Sequence, residues 1–138
     1  MKDLSNSITL KRVISPVSVA DTTAQVGTAV DRKGFESVTY AIATGSIADA
    51  DATFTVLLQE SDDNSTYTDV ADADLLGTEA LAGFQFDDDN ECRKLGYIGA
   101  KRYTKLTITP VANASAALIS AVCILGDAAA KPTVNPPA

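Results

Sequence analysis

The chain has 138 residues, 46% of them apolar and 6% aromatic, with 11 lysines and arginines against 18 acids and a net charge of −7. That length suits one domain, and the negative balance excludes a general nucleic-acid binder, which needs a basic surface to displace counterions from phosphates. Histidine is absent, which removes the commonest general base and the commonest zinc ligand together.

Valine, isoleucine and threonine number 11, 8 and 15. These β-branched types favour pleated strands and lose rotamer freedom in helices. No segment keeps a helical apolar stripe for three turns, whereas period-two alternation recurs. The chain opens Met1-Lys2-Asp3-Leu4-Ser5-Asn6-Ser7, with no apolar run of signal-peptide length. Residues 1–20 read as an N-terminal arm or edge strand, because Pro16 inside the apolar run Ile8 to Val19 cannot donate to a ladder. Val38, Tyr40 and Ile42 predict a strand over 35–44, and Phe54, Val56 and Leu58 predict another over 52–60. Gly45-Ser46 and Asp49-Ala50-Asp51 lie between the two, as in a hairpin.

Tyr67 to Val70 is a short third strand, and Ala73 to Leu81 reads as one helical turn or a wide loop, the loop being favoured because Gly77 interrupts it. Phe84 and Phe86 are expected on one face around Gln85. The run 102–111 places Thr104, Leu106 and Ile108 on one face and ends at Pro110. Residues 116–125 are apolar on both faces, so that strand is expected to be buried twice, in mid-core or against another protein molecule. It is too short for the ~20 residues of a membrane span, so the sequence predicts a protein made in the cytoplasm with no membrane partner. Residues 127–138 hold Pro132, Pro136 and Pro137 and read as an extended C-terminal tail. The central domain, 21–126, thus has the many short strands and frequent turns of a β-sandwich or barrel.

Charge is segregated along the chain. From Asp49 to Glu91 there are 13 acids and no lysine or arginine. Beyond Cys92 follow Arg93, Lys94, Lys101, Arg102, Lys105 and Lys131 against the single acid Asp127. The two segments either pair locally or form faces of opposite sign that steer the molecule onto a charged partner. Asp87-Asp88-Asp89-Asn90-Glu91 lacks the alternating ligands and the bend glycine of a calcium loop and reads as a solvated acidic turn. Asp62-Asp63-Asn64 reads as a hairpin tip, since Asx side chains cap their own turns. Cys92 and Cys123 form no CxxC motif. No phosphate loop, zinc-protease helix or serine-hydrolase elbow occurs in the sequence. The reading is therefore of a protein that is not an enzyme and takes no cofactor or metal.

Several strings carry a resemblance. Leu57-Leu58-Gln59-Glu60-Ser61-Asp62-Asp63, Tyr67-Thr68-Asp69-Val70, Asp74-Leu75-Leu76-Gly77-Thr78-Glu79 and Lys94-Leu95-Gly96-Tyr97-Ile98-Gly99-Ala100-Lys101-Arg102-Tyr103 occur in this order. Together they resemble the small capsid cement and decoration proteins of tailed bacteriophages, over roughly residues 30–126. The resemblance implies an all-β, jelly-roll-type β-sandwich of about eight strands with extended N- and C-terminal arms. An immunoglobulin-like sandwich is the structural alternative, because period-two patterns do not reveal strand order. The resemblance further implies a structural virion protein on the outer capsid surface. Its implied partners are the major capsid protein and a second copy at two-fold positions. Arg93, Lys94, Lys101, Arg102 and Lys105 are the residues expected, from charge, to meet acidic patches on the shell. The rival readings are another virion component (tail, connector or receptor-binding) and a soluble carbohydrate- or protein-binding module.

Overall fold

The computed structural model describes residues 2–137. Eleven strands carry the fold: β1 (Thr9–Val19), β2 (Gln25–Val26), β3 (Val30–Asp31), β4 (Phe35–Ile47), β5 (Thr53–Ser61), β6 (Thr68–Asp69), β7 (Leu75–Leu76), β8 (Phe84–Gln85), β9 (Cys92–Tyr97), β10 (Tyr103–Val111) and β11 (Ala117–Ala128). One helical turn, α1 (Glu79–Ala82), and two short 3-10 turns accompany them. The strands form two sheets. The first has the order β1-β11-β4-β9-β7. The second has the order β2-β10-β5-β6, with β3 also on β10 and β8 also on β5. Every strand pairing is antiparallel.

The chain changes sheet at most connections, and its first and last long strands are neighbours. This is the winding of a jelly-roll sandwich. An immunoglobulin-like order would set the first two strands side by side in one sheet; here β1 pairs with β11 while β2 lies in the opposite sheet. The predicted hairpin between 35–44 and 52–60 is therefore corrected. β4 pairs with β11 and β9, β5 pairs with β10, and residues 48–52 carry the chain across the sandwich. Alternating strands look the same from either arrangement, because the period-two pattern records which face is buried and leaves the neighbour open.

The alternation itself places the core. From the first sheet Val38, Tyr40, Ile42, Leu95, Tyr97, Cys123 and Leu125 point inward, and Phe54, Leu58, Thr104, Leu106 and Ile108 meet them from the second. Burying a side chain of this size contributes about 1.5–3 kcal/mol. A polar bond crosses the core between the Tyr40 hydroxyl and Thr104 Oγ1 at 2.6 Å. Both residues are fully buried, so each hydroxyl satisfies the other where no solvent reaches.

Several local expectations change. Phe84 is buried and stacks on Phe54 with ring centroids 4.7 Å apart, whereas Phe86 leaves the strand and is exposed. Pro110 lies within β10, opposite Phe54, rather than ending the strand. The expected loop over 73–81 contains β7 and the start of α1. Gly77, at φ +88°, makes the turn between them, and the Thr78 side chain caps the helix by accepting from the Leu81 N–H at 3.0 Å. β11 runs to Ala128, two residues into the segment read as tail, and Ala128 pairs with Phe35. The tail beyond it folds back on the start of β1. Thr133 Oγ1 donates to the Ile8 carbonyl at 2.6 Å and its N–H donates to the Asn6 carbonyl at 3.0 Å.

Candidate functional site

The five cations expected at an interface do not form one patch. Arg93 is the second residue of β9, with Asp88 at 2.9 Å and Glu91 at 2.6 Å. Lys101 and Arg102 sit in the loop entering β10, and each takes an acid: Lys101 Nζ meets Asp62 at 2.6 Å, and Arg102 grips both oxygens of Asp31 at 2.8 and 2.9 Å. Those guanidinium hydrogen bonds hold the Asp31 carboxyl below the usual carboxylate range. Lys105 projects from the second sheet with its ammonium 4.0 Å from the centre of the Tyr67 ring. Lys94 projects from the first sheet, on the opposite side of the sandwich, and its side chain makes no hydrogen bond or ion pair among the described residues. The acidic middle and the basic C-terminal third thus pair with each other at several points, and Lys94 stands apart.

The acidic turns are structural. In 87–91, Asp88 accepts from the Gln85 N–H at 2.9 Å, and Thr44 Oγ1 ties the Asp88 carbonyl at 2.7 Å and the Glu91 N–H at 2.9 Å to β4. Asn90 adopts a positive φ of 56° there, a conformation asparagine tolerates. Asp62-Asp63-Asn64 is the tip of the β5–β6 hairpin, as its composition indicates. The Asp63 carboxylate accepts from the Thr66 and Ser65 N–H groups, both at 2.9 Å. These bonds lower its pKa to about 2. Among the described residues no cluster of three or more acids and cysteines is placed to hold a metal ion. Both cysteines are free; burial pushes the Cys123 thiol up to about 12, so it packs as an apolar side chain, while Cys92 is exposed.

The loop joining β9 to β10 is held from both sheets. The Tyr97 hydroxyl donates to Glu60 at 2.6 Å and accepts from the Lys101 N–H at 3.0 Å, and burial raises its pKa. Arg32 Nε donates to the Lys101 carbonyl at 2.5 Å. At the edge of the second sheet Glu79 fills a gap between β6 and β8 by accepting from the Leu58 N–H at 2.8 Å. A cleft of about 490 Å³ lies beside it, lined by Thr53, Thr55, Glu79 and Gln85. Phe54 and Phe84, whose stacked rings are almost fully buried, also line this cleft.

The most unusual surface is the outer face of the first sheet. The strand read as buried on both sides is buried on one: Ala117, Ile119, Ala121, Cys123 and Leu125 face the core, while Leu118 is 45% and Val122 39% exposed. The register extends this apolar face across the sheet in rows. Leu10, Ile124, Thr39 and Gly96 form one row, and Arg12, Val122, Ala41 and Lys94 form the next. Ser120, Ala43 and Cys92 follow. Small residues keep the face low. A Cβ on Gly96 would come within 2.8 Å of Leu76 Cβ, and one on Gly45 within 2.9 Å of Leu118 Cβ, so these leucines lie flat over glycine. Two shallow hollows flank the rows. One, of about 310 Å³, lies between Pro16, Gly45 and Leu118; the other, of about 500 Å³, lies between Leu76, Leu81 and Cys92. Sequence reading singled out the strand through its two apolar faces, but the small residues of β4 and β9 that widen the patch carry no signal of their own.

No protein-family model matches the chain, and no curated protein matches it. Among solved structures, the PBSX exported protein XepA is similar over 98% of this chain at 16% identity, with a TM-score of 0.61. The chain spans 42% of that protein's length. A protein of Bacillus endospore appendages, described as disulfide-linked pili, covers 93% of this chain and 97% of its own length at 11% identity, with a TM-score of 0.47. The CBM22-1–GH10 modules of a Clostridium thermocellum xylanase, complexed with xylohexaose, cover 95% of this chain and 28% of their own at 11% identity, with a TM-score of 0.46. At this identity the XepA match is a likeness of fold alone. Among the described residues no helix is long and apolar enough to cross a membrane.

Proposed function

We propose that this protein is a structural component of a tailed-phage particle, a cement protein that binds the outer surface of the assembled capsid and bridges neighbouring units of the shell. The observation that carries the reading is the exposed apolar outer face of the first sheet. Leu10, Leu118 and Val122 are each at least 39% exposed on one side of one sheet, a contiguous patch of the kind that marks a protein-binding surface. Two further features support it. The strand order is that of a jelly roll, and residues 30–126 resemble capsid cement and decoration proteins.

Such a protein needs no chemistry. Shell units under internal pressure separate at their joints, and a molecule that binds only the assembled lattice stabilises it by mass action. Two copies paired at a two-fold position would engage two shell units at once. The second contact is then intramolecular and raises affinity by about 10²–10⁴. The partners in this reading are the major capsid protein and a second copy, and the location is the outer capsid surface.

Co-sedimentation with purified heads tests the reading. A cement protein travels with the heads in near-stoichiometric amount to the shell protein. Recovery at about a dozen copies indicates a connector, and recovery free of particles with affinity for glycans indicates a binding module.

A further inference from the structure

The outer face of the first sheet carries charge as well as apolar surface, and the arrangement selects the partner. Arg12, Val122, Ala41 and Lys94 stand opposite one another on four adjacent strands. With strands about 4.8 Å apart, the row places two cations roughly 14 Å from each other with an apolar centre between them. The ladder places no acid on this face. Along the same strands only Glu36 and Asp127 are acidic, and the paired residues pass over both. The molecule as a whole is acidic at −7, so a cationic, apolar face is the opposite of its average surface.

Taking that row with the exposed leucines, we propose that this face docks on the shell protein through a surface that presents an apolar strip bordered by carboxylates. The proposal rests on the cement reading and assigns it a contact face and a partner chemistry. A second copy is the wrong occupant. Packing two such faces together would bring four cations into one interface with no carboxylate from either face, and a buried charge without a partner costs several kcal/mol. Acidic rims facing Arg12 and Lys94 satisfy both cations, while the apolar strip covers Leu10, Val122 and Leu118. The face also has the required size. Strands of up to 13 residues in a five-stranded sheet give on the order of 700 Å², close to the ~800 Å² each partner contributes to a standard interface. Cations at the border speed encounter and fix orientation, and the apolar centre slows release.

The test compares faces on one fold. Val122→Asp and Lys94→Glu alter this face, and Thr107→Asp alters the outer face of the second sheet. Each variant is first checked for a native circular-dichroism spectrum and melting transition. Binding is then measured by sedimentation with particles assembled from a tailed-phage major capsid protein, at low and high salt. The expected result is a loss of at least about tenfold for Val122→Asp, a similar loss for Lys94→Glu at low salt that narrows at high salt, and wild-type binding for Thr107→Asp. Equilibrium sedimentation of the chain alone should give the same oligomeric state for wild type and Val122→Asp. Undiminished binding by both face variants overturns this face assignment and leaves the cement reading standing. Self-association of the wild type that Val122→Asp abolishes overturns the partner, making the occupant a second copy. A wild-type chain that does not bind the particles overturns the cement reading itself.

Discussion

The two outer faces of the sandwich are built from the same kind of strand and finished differently. On the second sheet the outward positions are Thr53, Thr55, Leu57 and Gln59 along β5 and Tyr103, Lys105, Thr107 and Thr109 along β10. These groups engage one another: Gln59 donates to Asp69 at 3.1 Å, Thr55 donates to the Thr109 carbonyl at 3.3 Å, and Lys105 covers Tyr67. On the first sheet the outward positions are mostly leucine, isoleucine, valine, alanine and glycine, with Thr39, Ser120 and Cys92 among them, bracketed by Arg12 and Lys94. Solvation by water and cross-strand partners completes the first-named face within the monomer. The other leaves apolar area and a cation without internal compensation, as a surface does when its complement is another molecule.

Substitutions sharpen this contrast, and the largest effect lies between the faces. Leu106→Ala removes a fully buried side chain that serves both sheets and should cost about 2–5 kcal/mol in denaturant unfolding. Glu79→Ala strips the acceptor from the Leu58 N–H at the second sheet's edge; about 1–3 kcal/mol should be lost, with faster amide exchange at Leu58. Tyr40→Phe leaves the Thr104 hydroxyl without its cross-core partner, at about 1–2 kcal/mol by the same measurement.

Exchanging the character of the two faces should change stability least. Val122→Thr and Thr107→Val should each stay within about 0.5 kcal/mol of wild type. Their effect should appear in binding of an apolar fluorescent dye, which falls for Val122→Thr and rises for Thr107→Val. Equal dye binding by both variants would break the comparison.

The smallest expected effect is confined to the β5–β6 tip. The Asp63 pKa is depressed to about 2 from an ordinary 3.8. The stabilising bonds of its ionised form are therefore present above the ordinary value and are lost as pH falls through the folded one. Amide exchange at Ser65 and Thr66 should rise between about pH 4 and pH 2, with Asp63→Asn losing that response.

What the sequence made legible follows from what alternation records. Tyr40, Ile42, Phe54, Leu58, Leu106 and Ile108 announce an inward face because period two survives any choice of neighbour. The pairing of β1 with β11 joins residues about 100 or more positions apart, from Val19 with Ala117 to Thr9 with Leu125, and no local pattern encodes such a contact. β9 was missed as a strand because Arg93 and Lys94 stand beside Leu95 and Gly96, which blurs the alternation that Leu95 and Tyr97 carry. The five cations are spread over the fold for a related reason. Arg93, Lys101 and Arg102 are near in sequence to Lys94, yet each lies close to an acid that the fold brings to it. The apolar strand 116–125 was visible as an anomaly; only the geometry decides that its second side faces outward.

Adjacency of the first and last strands also determines how the molecule bears force. Thr9 of β1 pairs with Leu125 near the end of β11, so the outer ends of both strands lie at the same end of the ladder. Tension applied through them would peel the rungs one after another instead of shearing them together, the weakest way to load an antiparallel pair. In the proposed cement role, load carried broadside through the sheets, where every rung shares it, would spare these extremities.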